Sequence, residues 1–157
     1  MELTAGSKAP AFKAADQNNN TISLSDYSGQ KVALFFYPED DTPTCTIEAC
    51  NLRDNYALLK KHGIVVIGVS PDEVDKHKKF EQKFDLPFTM LADPKHTMLN
   101  KYGVWGEKNL YGNKFMGVKR TTFLINEDGT IAHIIKGVRS KNHAQQILDA
   151  WKIKNQD

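Results

Sequence analysis

The runs "KVALFFY" at 31–37 and "IVVIGVS" at 64–70 constrain the fold of this chain more than any other feature. Both are rich in β-branched and aromatic residues, and neither alternates apolar with polar positions. A strand with one face in water alternates; a strand without alternation is covered on both faces. Between the two runs lies a helical pattern from about Pro43 to His62, with Gly63 as the expected C-terminal stop. Buried strands joined by a helix ask for a central sheet with helices packed on either side. At 157 residues the chain has the size of a single domain, expected to span 1–157, and can bury such a core.

The remaining elements follow in order. "DEVDKHKKFEQKF" predicts a charged surface helix, "FTMLAD" a short strand, and "PKHTMLNKYG" a third helix with Pro94 in its first turn. "GVWGEKNLYGNKFMGV" is glycine-rich and predicts a loop, with Trp105, Tyr111 and Phe115 as its packing residues and Met98 and Met116 filling gaps. "RTTFLINEDGTIAHIIKG" predicts a β-hairpin turning at Asp128-Gly129, and "NHAQQILDAWKI" a closing amphipathic helix. Near the N-terminus the asparagine run of "ADQNNNTISLSDYSGQ" predicts a hairpin or loop. This order is that of the thioredoxin fold: an α/β class with a central mixed β-sheet flanked by helices, an N-terminal β extension and a helical insertion.

Composition removes several classes. Net charge is +2 with the basic residues scattered, which gives no nucleic-acid footprint. The start "MELTAGSKAPAF" has no signal-peptide pattern, and the longest apolar runs are too short to cross a bilayer, so no membrane association and a cytoplasmic location are expected. No long exposed apolar stripe is visible, and a monomer is expected. The histidines at 62, 77, 96, 133 and 143 form no ligand cluster with the cysteines and are expected at the surface or in the hairpin, so no metal site is expected. Glu48 and Arg53 are expected as exposed charges of the first long helix, with a supporting place for Glu48 beside Arg120 as the alternative.

Both cysteines fall in "YPEDDTPTCTIEAC", directly after the first buried strand, where open α/β sheets place their ligand sites. In a reducing compartment such a pair is more often catalytic, redox-active or metal-binding than a permanent staple. If Thr42 caps the helix, Pro43 takes the first helical position and Cys45 the third. That position meets free backbone N–H groups and the positive end of the helix dipole, which favour an anion and lower a thiol's pKa. Cys45 is therefore the expected nucleophile, with the Thr42 hydroxyl near enough to donate to its sulfur or to a bound oxygen. Along an ideal helix the Cα atoms of Cys45 and Cys50 lie roughly 8.6 Å apart. A disulfide needs about 7 Å or less, so the first turns must unwind before the two can bond.

These residues resemble a known family. "PEDDTPTC" at 38–45 is similar to the peroxiredoxin active site, and "CTIEACNLRD" with "KYGVWGEKNLYGNKFMGVKRTTFLI" resembles the bacterioferritin comigratory protein (peroxiredoxin Q) group. The resemblance runs from "GSKAPAF" to the final helix. It implies a thiol peroxidase for hydrogen peroxide and organic hydroperoxides. Cys45 is then the peroxidatic cysteine, Thr42 its hydroxyl partner, Pro38 the ring shielding the pocket, and Arg120 the guanidinium near the thiolate. Cys50 matches the resolving cysteine that some members carry, forming an intramolecular disulfide that thioredoxin or a similar dithiol reduces. Members often have Gly where this chain has Thr44, and a side chain there narrows the pocket mouth or adds a capping hydroxyl. No cofactor is implied.

Two other readings compete. A protein dithiol-disulfide oxidoreductase expects C-x-x-C at the helix start, whereas the spacing here is C-x4-C. A non-enzymatic peroxide sensor expects stoichiometric oxidation without turnover.

Overall fold

The structure, a computed structural model, describes residues 2–152. The two unalternated runs form β3 (Lys31–Phe36) and β4 (Ile64–Ser70), paired in parallel at the centre of a sheet. β5 (Thr89–Ala92) extends the sheet in parallel beside β4. β8 (Thr121–Ile125) runs antiparallel to β3, and β9 (Ile131–Ile135) antiparallel to β8. The asparagine run makes a hairpin of β1 (Lys13–Ala15) and β2 (Thr21–Ser23), whose first strand adds to β5. The result is a mixed seven-stranded sheet in the order β2-β1-β5-β4-β3-β8-β9.

Period-two geometry divides β3 between two cores. Ala33, Phe35 and Tyr37 face one layer together with α1 (Pro43–Asp54), α2 (Tyr56–Lys61), α3 (Val74–Phe84) and α5 (His143–Ala150). Val32, Leu34 and Phe36 face the other, with Phe12 and with α4 (Thr97–Lys101). Both faces are covered, as the missing alternation requires. Gly68 on β4 leaves room for this packing: a Cβ there would stand 2.8 Å from Phe35 and 3.1 Å from Tyr37.

Several expectations change. The helix over 43–62 breaks at Asn55, where the side-chain Nδ2 donates to Asn51 O at 2.8 Å and the backbone leaves helical angles (φ −110°, ψ 9°). A short polar side chain that competes for the backbone breaks the ladder here. Gly63 does end the second piece, at φ +72°. The third helix begins at Thr97 after a left-handed His96, so Pro94 precedes it instead of opening it.

The predicted loop at 103–118 is instead a second, two-stranded sheet of β6 (Trp105–Leu110) and β7 (Asn113–Val118). Its turn residues Tyr111 and Gly112 both have positive φ (52° and 83°), the requirement of a type I′ hairpin turn. The usual Asn-Gly signal is absent, and so the pattern hid the hairpin. Its tip is exposed: Tyr111 is 96% accessible, and Phe115 and Met116 are also open, so these three do not pack as expected, whereas Trp105 packs against the core; Leu110 is exposed beside them. The closing helix ends at Ala150; Ile153, its expected last residue, lies outside the described residues. No helix among the described residues is long and apolar enough to cross a membrane.

Candidate active site at the start of α1

Thr42 is the N-cap of α1, Pro43 its first residue and Cys45 its third. The first helical bond runs from Thr46 N–H to Thr42 O at 2.8 Å, so the N–H groups of Thr44 and Cys45 precede the ladder and point out of the helix end. Cys45 is buried at 2% accessibility against the Phe35 and Tyr37 layer. The Thr42 hydroxyl does not bond the sulfur. It donates to Glu39 O at 2.9 Å, across a loop turned back by Asp41 at φ +61°.

Arg120, in the link before β8, divides its guanidinium between two acceptors. Nη2 donates to Cys45 Sγ at 3.2 Å and Nη1 to Glu48 Oε1 at 2.6 Å. Burial works against the Arg120 charge, but Glu48 and Cys45 outweigh it and hold its pKa above the ordinary value. Glu48 lies one helical turn after Cys45 with no exposed side-chain surface: it stands beside Arg120, the alternative expectation, rather than as a solvated charge. Its second oxygen, Oε2, faces His143 Nδ1 at 3.0 Å. His143, also fully buried, pairs its Nε2 with the Thr122 hydroxyl at 2.7 Å. Four side chains from α1, β8 and α5 and the link between thus line up behind the sulfur.

A second buried cluster holds the loop in front of it. Tyr37 OH donates to Asp40 Oδ1 at 2.6 Å, and Asp40 Oδ2 meets His77 Nδ1 at 2.5 Å. His77 Nε2 lies 2.9 Å from Leu91 O, so that nitrogen carries a proton. Asp72 Oδ2 accepts from Asp40 N–H at 2.7 Å and from the Ser70 hydroxyl at 2.8 Å. Burial, then the neighbouring Asp40, push the Tyr37 pKa well above its ordinary value and keep it a donor. Asp40, Asp72 and His77 lie close enough to share a cation. Each ligand atom is already committed within the cluster, so its chemistry is that of a clasp on residues 38–42.

His77 and His143 were expected at the surface and are both buried. Their partners come from 14 to 37 and from 21 residues away in sequence, a separation that no local pattern encodes. The one legible signal was negative: polar residues inside otherwise apolar stretches, such as Thr122 in "TTFLI". Pro38 is half-buried on the same loop, and Thr44 is exposed at the helix start. Cys50 is a free, partly buried thiol further along the continuous helix. Arg53 is tied down rather than free, with Nη1 donating to Phe84 O at 2.7 Å and Nε to Asp54 at 2.9 Å. A cavity of about 580 Å³ touches Arg120 from the Phe123 face, but none of Cys45, Thr42 and Pro38 lines it.

Fold and site define a class: a thioredoxin-like protein built around one buried thiol at a helix start, gripped by a guanidinium. More closely, the chain belongs to the AhpC/TSA family, whose pattern matches residues 5–134, and within it to the peroxiredoxins of the bacterioferritin comigratory protein (peroxiredoxin Q) group, which are peroxidases. It is 45% identical over 148 residues to a putative peroxiredoxin bcp of Coxiella burnetii, covering 94% of this chain and 98% of that one. It is 42% identical over 150 residues to peroxiredoxin Bcp of Escherichia coli K12, covering 96% of each. Among solved structures, the bacterioferritin comigratory protein of Xanthomonas campestris, described for its alkyl peroxide reduction activity, superposes with TM-score 0.87. That match is 28% identical and covers 94% of this chain and 97% of the other.

Proposed function

We propose that this protein reduces hydrogen peroxide and organic hydroperoxides through Cys45, resolves the product with Cys50, and is recycled by thioredoxin or a similar dithiol. The observation that carries this reading is the Arg120 guanidinium split between Cys45 Sγ and Glu48. A cation fixed on the sulfur favours the thiolate, which is the nucleophilic form. It also stands where negative charge develops as the O–O bond breaks.

The thiolate attacks the nearer peroxide oxygen, an S–O bond forms, and the alkoxide or hydroxide that departs takes up one proton from solvent. Cys45 is left as a sulfenic acid. The Thr42 hydroxyl already donates to Glu39 O, so its lone pairs are the free part and accept the peroxide O–H, orienting the O–O axis for attack. Pro38 covers the thiol from the loop side, and the Thr44 side chain stands at the mouth. The chemistry runs on side chains alone.

Resolution requires movement, because Cys50 sits five residues along the same helix. The first turns of α1 unwind, which breaks the Arg120–Glu48 and Arg120–Cys45 contacts. Cys50 then attacks Cys45, water leaves, and the disulfide passes to an external dithiol by exchange. Such cycling needs a compartment that supplies that reductant.

The test is NADPH consumption with hydrogen peroxide, thioredoxin and thioredoxin reductase. Cys45→Ser abolishes turnover. Cys50→Ser keeps the first oxidation but blocks or slows recycling. Faster reduction of insulin disulfides than of peroxide would instead make this a protein disulfide oxidoreductase, and oxidation without turnover would make it a sensor.

A further inference from the structure

The split of the Arg120 fork has a cause in the fold, and it lies at the first residue of α5. Arg120 gives Nη1 to Glu48 Oε1 and Nη2 to Cys45 Sγ. A guanidinium facing a buried carboxylate ordinarily takes both oxygens in a two-pronged pairing. Here the second oxygen is turned away, toward His143 Nδ1 at 3.0 Å. Among the described residues neither Glu48 Oε2 nor His143 Nδ1 has a hydrogen-bond partner, and the two face each other in a fully buried site. The contact is electrostatic rather than an aligned hydrogen bond. A carboxylate oxygen only accepts, so the ring nitrogen facing it carries the proton. The opposite nitrogen meets the Thr122 hydroxyl at 2.7 Å; a hydroxyl can donate there, which agrees with a proton on Nδ1.

From this geometry we infer that His143 is a positioning residue for Cys45, acting through Glu48. It occupies the second carboxylate oxygen and thereby leaves one prong of Arg120 for the sulfur. The groups that face the imidazole are Glu48 from α1, Thr122 from β8 and the ring of Phe35 from β3, edge-on at 5.7 Å. Glu48 is the only charged one among them. Without a donor at Nδ1 the carboxylate rotates and captures both prongs, and Cys45 loses its cation. The inference rests on Cys45 being the reactive thiol and concerns what tunes it.

The experiment uses the Cys50→Ser protein and follows alkylation of Cys45 by iodoacetamide against pH, a readout independent of peroxidase turnover. His143→Gln sets its amide nearer the Nε2 position and leaves Oε2 with no N–H facing it. The midpoint of the alkylation profile should rise by about half a pH unit or more, a roughly threefold slowing on the acid side. His143→Asn places an amide where Nδ1 was and should restore the midpoint. Thr122→Val keeps the side-chain shape but releases the ring, and should shift the midpoint the same way by less. Thermal unfolding checks that each variant is folded. An unchanged midpoint in folded His143→Gln overturns the inference, as does an equal shift in the Asn and Gln variants, which is the mark of a merely structural residue. If both histidine variants fail to fold, an unmoved Thr122→Val midpoint overturns it.

Discussion

Replacing Arg120 separates two effects that the site combines. In Arg120→Gln the Glu48 carboxylate, with a side chain 0% accessible, loses the cation that faces it. Breaking a buried pair by removing one partner costs about 3–5 kcal/mol. The Arg120 side chain retains 19% accessibility, so the lower end applies. For a chain of this length, about 3 kcal/mol corresponds to a Tm lower by roughly 6–12 °C. The sulfur loses the charged donor that Arg120 supplies, an interaction of about 1.5–3 kcal/mol. That moves the midpoint of the pH–rate profile up by about one to two pH units. Loss of a donor to the departing oxygen adds a factor of about 100 or more to the rate defect.

Arg120→Lys distinguishes the two effects. A single ammonium neutralises Glu48 but cannot reach both acceptors as a planar fork does. Stability should return in large part while the rate does not. The assay is stopped-flow oxidation of Cys45 by hydrogen peroxide across pH, beside thermal unfolding of each variant. Oxidation of Arg120→Gln within about threefold of the parent rate, or full recovery of rate in Arg120→Lys, would refute the reasoning.

Other expectations follow from the same geometry. Gly68→Ala drives a methyl into Phe35 and Tyr37 and should cost about 1–3 kcal/mol by denaturant unfolding, with slower peroxide turnover as Tyr37 shifts under Asp40. Asp40→Asn removes the charge facing buried His77 and should loosen residues 38–42, read as faster amide exchange there and a slower reaction of Cys45. Gly112→Ala strains the hairpin turn at φ +83° and should lower stability by about 1–2 kcal/mol while leaving peroxide reduction unchanged, since the turn lies at the exposed tip.

What the sequence disclosed and what it withheld divide along a physical line. β3, β4 and the Asp128-Gly129 hairpin were legible because unbroken apolar runs and a common turn pair act locally. The start of α1 was legible because Thr42, Pro43 and Cys45 occupy adjacent capping positions. The β6–β7 hairpin was missed because Tyr111-Gly112 reaches positive φ at both positions without the usual Asn. Glu48 beside Arg120 was legible only as an alternative, and its links to His143 and Thr122 were missed because they assemble only when α1, β8 and α5 meet. Arg120 and Glu48 stand 72 residues apart, so spacing alone could not rank their pairing above an exposed Glu48. Family resemblance found Arg120; only the fold found His143 on the far side of Glu48.

The most direct measurement traps the first product. The Cys50→Ser protein is treated with one equivalent of hydrogen peroxide in the presence of dimedone, digested, and mapped by mass spectrometry. A sulfenic-acid adduct confined to residue 45, formed stoichiometrically and at a rate that falls as pH drops, is the predicted result. Absence of an adduct at residue 45 while peroxide is still consumed, or an adduct rate indifferent to pH, contradicts a guanidinium-held thiolate as the seat of the reaction.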